Sequence, residues 1–189
     1  MAEGASAVTD AWPWPPPEDD GAARHLVANL AMPDIPLLAT DGGAVSLAPR
    51  PGKWVVFFYP WTGRPGVPNP PRWDDIPGAH GSTPEAEGFR NCYEAFRERG
   101  IGVLGISGQT TEDQREFAER VRLPFPLLSD AEGALRAALK LPVFETGGVI
   151  YLKRLTLVLC DGVIERTVYP VHPPHTHAGD LLAMFPRRR

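Results

Sequence analysis

The chain has 189 residues, of which 43% are hydrophobic and 22% charged, with a formal net charge of −4. That size and balance suit one globular domain with a real core. They disfavour a general nucleic-acid binder, a collagen-like chain and a disulfide-stapled secreted scaffold, since there are only two cysteines, Cys92 and Cys160.

Residues 1–22, rich in proline and acid, read as a disordered or loosely docked arm in which Trp12 and Trp14 could pack on the body or on a partner. This opening has neither a basic stretch nor an apolar one, so no signal peptide is expected. Residues 23–189 form the domain. Ile35 to Ala39 and Val45 to Leu47 read as short strands around the turn Thr40-Asp41-Gly42-Gly43. Trp54 to Tyr59 is a continuous apolar run, the pattern of a strand covered on both faces. Residues 60–84 are too proline-rich for a regular element.

Glu85 to Glu98 places Phe89, Cys92, Tyr93 and Phe96 at helical spacing and stops at Arg99-Gly100. Ile101 to Ile106 reads as a second buried strand. Thr111 to Val121 reads as a helix with Phe117 and Val121 inward. A short strand at Pro126 to Leu128 and a short helix at Ala131 to Leu139 follow. Tyr151 to Leu159 and Val163 to Tyr169 flank Cys160-Asp161-Gly162 as a hairpin, and Ala178 to Phe185 closes the chain as a helix. Helices between strands imply parallel pairs, and the late hairpin adds an antiparallel edge. The expected class is α/β, a mixed central sheet flanked by helices. No apolar run is long enough to span a bilayer, and a cytoplasmic location is the simplest expectation. The terminal Arg187, Arg188 and Arg189 read as a solvated tail.

The informative segment follows the Trp54 strand. Tyr59-Pro60 ends the strand, and Gly81, Thr83, Glu85, Ala86, Gly88, Phe89 and Arg90 open the next helix. These residues resemble the peroxiredoxins, in particular the bacterioferritin-comigratory (Q-type) branch of the alkyl hydroperoxide reductase/thiol-specific antioxidant family. The stretch MPDIPLLATDGGAVSL and the run Lys153-Arg154-Leu155-Thr156 extend the resemblance over about residues 30 to 185. It implies a thioredoxin-like fold of the peroxiredoxin type and an oxidoreductase, antioxidant ancestry. It also implies that Arg154 points at the helix start.

The departures bear on activity. Ser82 stands at the position of the family's peroxidatic cysteine and Glu87 at the neighbouring resolving position. Ala79 replaces a threonine, and about ten extra residues, between Trp61 and Asp74, precede the turn. Peroxide reduction needs a thiolate that becomes a sulfenic acid, and a serine hydroxyl cannot be oxidised that way.

Ser82-Thr83-Pro84-Glu85 also reads as a capping box, with Ser82 at the N-cap and Glu85 reaching back. The candidate catalytic residues are Ser82, Arg154 and His80, with Pro60, Thr83 and Glu85 as substrate-binding candidates. No acidic partner that would orient His80 is evident in sequence. Cys92 and Cys160 are the redox candidates; Cys92 lies ten residues past Ser82, about 15 Å along a helix, on its apolar face. A Cys92–Cys160 bridge is left open. His172, His175 and His177 read as a solvated loop with no metal site; a second reading lays this loop over the Ser82 pocket. The Trp61 to Trp73 loop could form a lid or a dimer contact.

The expectation is a divergent peroxiredoxin-fold protein without either family cysteine, handling a small polar molecule at the Ser82/Arg154 pocket. The alternatives are a thiol peroxidase, with Ser82 an engineered substitution or Cys92 the nucleophile, and a non-catalytic interaction protein. The absence of both cysteines favours natural divergence. No cofactor, nucleic acid or membrane is expected, and a homodimer is left open.

Overall fold

The structure is a computed structural model that describes residues 12–48 and 50–186; the first eleven residues of the arm and the terminal arginines lie outside it. In chain order the elements are β1 (Leu37–Ala39), β2 (Ala44–Val45), β3 (Lys53–Phe58), α1 (Ser82–Glu98), β4 (Ile101–Ser107), α2 (Thr111–Arg120) and β5 (Leu127–Ser129). There follow α3 (Ala134–Leu139), β6 (Val143–Thr146), β7 (Val149–Leu152), β8 (Leu155–Cys160), β9 (Val163–Val168) and α4 (His177–Ala183). Seven strands form one mixed sheet in the order β2-β1-β5-β4-β3-β8-β9. Strands β3, β4 and β5 run parallel, and β8 returns antiparallel beside β3.

The apolar run of β3 is explained by its central place. Val55 and Phe57 face a cluster with Phe89 and Phe96 of α1, Phe117 of α2 and Leu181 of α4. Val56 and Phe58 face the other way, onto Leu135 and Leu139 of α3 and the segment from Ala23 to Met32. Phe57 and Phe89 stack at 4.4 Å and are both fully buried, each worth about 1.5–3 kcal/mol of transfer free energy. Helix α2 starts at Thr110, whose side chain accepts from the Asp113 amide, and turns Phe117 inward as expected. At the β8–β9 turn Asp161 and Gly162 both have positive φ, 51° and 78°, the backbone a two-residue hairpin needs.

Three expectations are corrected. The strand read over Tyr151 to Leu159 is broken at Lys153 and Arg154, where the chain leaves a small β6–β7 hairpin and enters the main sheet. Strand β6 is absent from the sequence reading because Val143–Thr146 is only half covered; its signal was the Gly147-Gly148 pair, which makes the turn at φ 59° and 76°. The 60–84 segment, read as irregular throughout, contains one 3-10 turn, Trp73–Asp75, that buries Trp73, and its last three residues, from Ser82, already belong to α1.

Candidate functional site

The topology brings two distant segments together at one end of β3. The segment after β3 loops out and returns to start α1. Strand β8 enters beside the same end, with Leu155 paired to Phe58. Arg154, immediately before Leu155, therefore meets the first turn of α1.

Arg154 Nη2 donates to Ser82 Oγ at 3.2 Å and to the His80 carbonyl at 3.2 Å. Its Nη1 is ion-paired to the Glu85 carboxylate. All three side chains are removed from water: Arg154 is 3% exposed, Ser82 4% and Glu85 0%. Burial pushes the Glu85 carboxyl upward, and the charge and hydrogen bond of Arg154 oppose that push.

This geometry replaces the capping box. Gly81 is the N-cap residue, at φ 112°, and no side chain caps the helix. Ser82 is the first helical residue, and its hydroxyl serves Arg154 instead of a backbone amide. Glu85 does not reach back, because the buried guanidinium takes its carboxylate. Pro84 in the first turn removes an N–H that has no intrahelical acceptor there. Glu85 and Arg154 are sealed beneath the helix, so Glu85 is a support for Arg154 rather than a substrate contact. Pro60 is buried at the strand end. Thr83 is half-buried and lines the cleft above the helix start.

His80 is placed differently from a general base for Ser82. Its Nε2 is 2.8 Å from Asp74 Oδ1, its ring lies flat on Trp14 at 3.7 Å, and no hydrogen bond joins it to the Ser82 hydroxyl. Asp74 is an acidic partner that sequence reasoning missed; it lies six positions before His80, in the 3-10 turn, with irregular loop between them, so no periodicity could reveal it.

The arm and the histidine loop both reach this place. Pro15 accepts from the Gly78 amide at 3.3 Å, and Asp20 binds Lys153 Nζ at 2.6 Å and the Tyr169 hydroxyl at 2.7 Å. Lys153 and Tyr169 together hold the Asp20 carboxyl well below the usual range. Trp12 stacks on His175 at 5.2 Å. Pro174 packs so closely on Gly81 that a Cβ there would lie 2.2 Å from its Cγ. The solvated-loop reading therefore fails for His177. It is 6% exposed and 2.8 Å from Thr156 Oγ1, and burial, followed by the charge of Arg154, holds its imidazole down at about 4. His172 stays exposed. Among the described residues no three His, Cys, Asp or Glu side chains converge to hold a metal ion.

Cys92 and Cys160 are both free thiols. Cys92 is half-buried on α1, and burial pushes its thiol up. Cys160 ends β8, the opposite end of that strand from Arg154. Neither touches Ser82. Above the helix start lies a cleft of about 440 Å³ whose lining includes Trp12, Trp14, Trp61, Trp73, Ser82 and Thr83.

A central mixed sheet, with a buried arginine from the return strand set against the first turn of the first long helix, defines a thioredoxin-like protein of the peroxiredoxin type. The model of the AhpC/TSA family matches residues 76–174. The chain is 35% identical over 173 residues to the chloroplastic peroxiredoxin Q of Gentiana triflora, covering 89% of this chain and 72% of that one. It is 32% identical over 156 residues to the chloroplastic peroxiredoxin Q of Oryza sativa subsp. japonica, covering 82% of this chain. The chain spans 64% of the length of that rice relative. Among solved structures, peroxidoxin BcpB of Mycobacterium tuberculosis superposes with a TM-score of 0.68 at 28% identity, covering 85% of this chain and 97% of that one. The bacterioferritin comigratory protein of Xanthomonas campestris superposes at 0.66 with 26% identity, covering 84% and 97%. The chain belongs to the AhpC/TSA family, and within it to the peroxiredoxin Q, bacterioferritin-comigratory type.

Proposed function

We propose that this chain is a divergent peroxiredoxin that does not reduce peroxides through a thiol at the helix start. Instead it binds or transforms a small polar molecule there. The observation that carries the reading is the identity of residue 82: the group held 3.2 Å from Arg154 Nη2 is a serine hydroxyl. In thiol chemistry the thiolate attacks the O–O bond and becomes a sulfenic acid, while the distal oxygen leaves and takes up a proton. A hydroxyl offers no such two-electron step. Residue 87, adjacent to the pocket in sequence, is a glutamate paired at 3.7 Å with Arg90, so no thiol is available there to resolve an oxidised intermediate. What remains is a helix start with first-turn amides outside the intrahelical ladder, which suits an oxygen-bearing ligand.

Peroxide consumption by the purified protein with dithiothreitol or thioredoxin tests this. The rate should match that of a heat-inactivated control. Robust turnover that disappears in Cys92→Ser would overturn the reading. It would favour a thiol peroxidase using Cys92, the second reading that membership of a family of named peroxiredoxins supports.

A further inference from the structure

Four of the five tryptophans, Trp12, Trp14, Trp61 and Trp73, line the one cleft over the first turn of α1. Two of these walls come from the arm and two from the loop between β3 and α1. The loop wall is held firmly. Thr62 donates its amide to Gln109 Oε1 at 2.8 Å, and Arg120 Nη2 donates to the Gly63 carbonyl at 2.8 Å. Trp61 meets Trp73 edge-on at 5.5 Å. Indole walls of this kind favour a flat unsaturated ligand by stacking and edge contacts.

Carboxylates stand behind the lining of the cleft, Asp74 on His80, Asp113 on Arg64 and Glu116 on Arg120. The lining itself includes Arg64 and Arg120 and, among the described residues, no carboxylate. Both arginines are anchored from outside the cleft: Arg64 by Asp113 and Arg120 by Glu116, each at 2.7 Å. A guanidinium has five N–H donors, so this anchoring orients the arginines and leaves donors over. The positive end of α1 adds to the same sign. A cationic ligand finds no carboxylate on the lining, where the remaining charged donors are guanidinium N–H groups, and a saturated anion makes no use of the indoles.

We propose that the cleft binds a flat aromatic carboxylate, its ring against the tryptophan walls and its carboxylate toward the first turn of α1. This rests on the reading of that helix start as a small-molecule site and adds the chemical class of the ligand.

The test is a titration of the full chain with 2-naphthoate, with acetate and with 2-naphthylmethanol, following the amide signals of Ser82 and Thr83 and the indole N–H signals by NMR. 2-Naphthoate should move both sets and bind at least about tenfold more tightly than either other probe. That factor corresponds to one well-made stacking or charge-assisted contact. Trp61→Ala should weaken 2-naphthoate roughly fivefold, whereas Trp54→Phe, on the β3 strand away from the cleft, should not. If acetate moves the Ser82 and Thr83 amides as tightly as 2-naphthoate, the aromatic class is overturned while the helix start remains a ligand site. If 2-naphthylmethanol binds as tightly as 2-naphthoate, the anionic class is overturned. If no probe moves those amides, both this inference and the reading beneath it fall.

Discussion

Glu85→Gln removes one charge from a buried pair and keeps the side chain's shape. Arg154 would then hold a full charge at 3% exposure with only neutral acceptors to replace water: the introduced amide oxygen, and Ser82 Oγ and the His80 carbonyl, each at 3.2 Å. Breaking such a pair from one side costs about 3–5 kcal/mol, because the remaining charge stays desolvated. That is a large part of the roughly 5–15 kcal/mol typical of a domain. The double variant Glu85→Leu/Arg154→Met removes both charges together. It leaves Ser82 and the His80 carbonyl without their donor, at about 1–3 kcal/mol for a buried group, yet it should recover much of the loss. Urea unfolding at pH 8.5, above the value of about 7 to which burial pushes the Glu85 carboxyl, read by tryptophan fluorescence and circular dichroism, gives the three stabilities. A cost below about 1 kcal/mol for Glu85→Gln, or a double variant no more stable than Glu85→Gln, would refute the argument that the pair is dry and mutually dependent.

His177 makes stability depend on pH. Its native imidazole titrates at about 4 against 6.5 in the unfolded chain. Between those values the unfolded chain binds a proton that the native one refuses, so stability is lost as pH falls through that window, by about 3 kcal/mol in all. Urea midpoints at pH 7, 5.5 and 4.5 should fall less steeply in His177→Gln than in the parent; equal slopes would count against a buried neutral imidazole. Ser82→Cys should carry a thiol more acidic than the ordinary 8.5 or so, since the helix start and Arg154 stabilise a thiolate. Alkylation rate against pH measures this, and weak dithiothreitol-driven peroxide turnover should accompany it. Gly162→Ala should cost more than about 2 kcal/mol, because a Cβ at φ 78° would lie 1.8 Å from the Ala48 carbonyl oxygen. Gly179→Ala, in α4 with open space around it, should gain about 0.5–1 kcal/mol. Thermal melts distinguish the two.

Much of the fold was legible in the linear chain because it is written in short-range pattern. The unbroken apolar run of β3, the helical spacing of Phe89 and Phe96 and the Asp161-Gly162 turn each express a local requirement, and each element formed where that requirement pointed. Ser82 and Arg154 were brought together in the reading by family resemblance, since 72 residues separate them and nothing in their spacing couples them. What Glu85 does could not be read locally. Ser-Thr-Pro-Glu satisfies the rule for a capping box, but the rule assumes a solvated helix start. Here β8 delivers a guanidinium beneath the first turn, and a buried charge has a stronger claim on the carboxylate than a backbone amide has. For the same reason His177, polar and among prolines, looked like surface until α4 packed against α1 and closed over it. The sequence by itself determined the strongly patterned elements and the missing thiol, but not the half-covered β6 or the break between β7 and β8. Tertiary structure alone decided which polar groups are shut away from water, because desolvation depends on what the rest of the chain places over them.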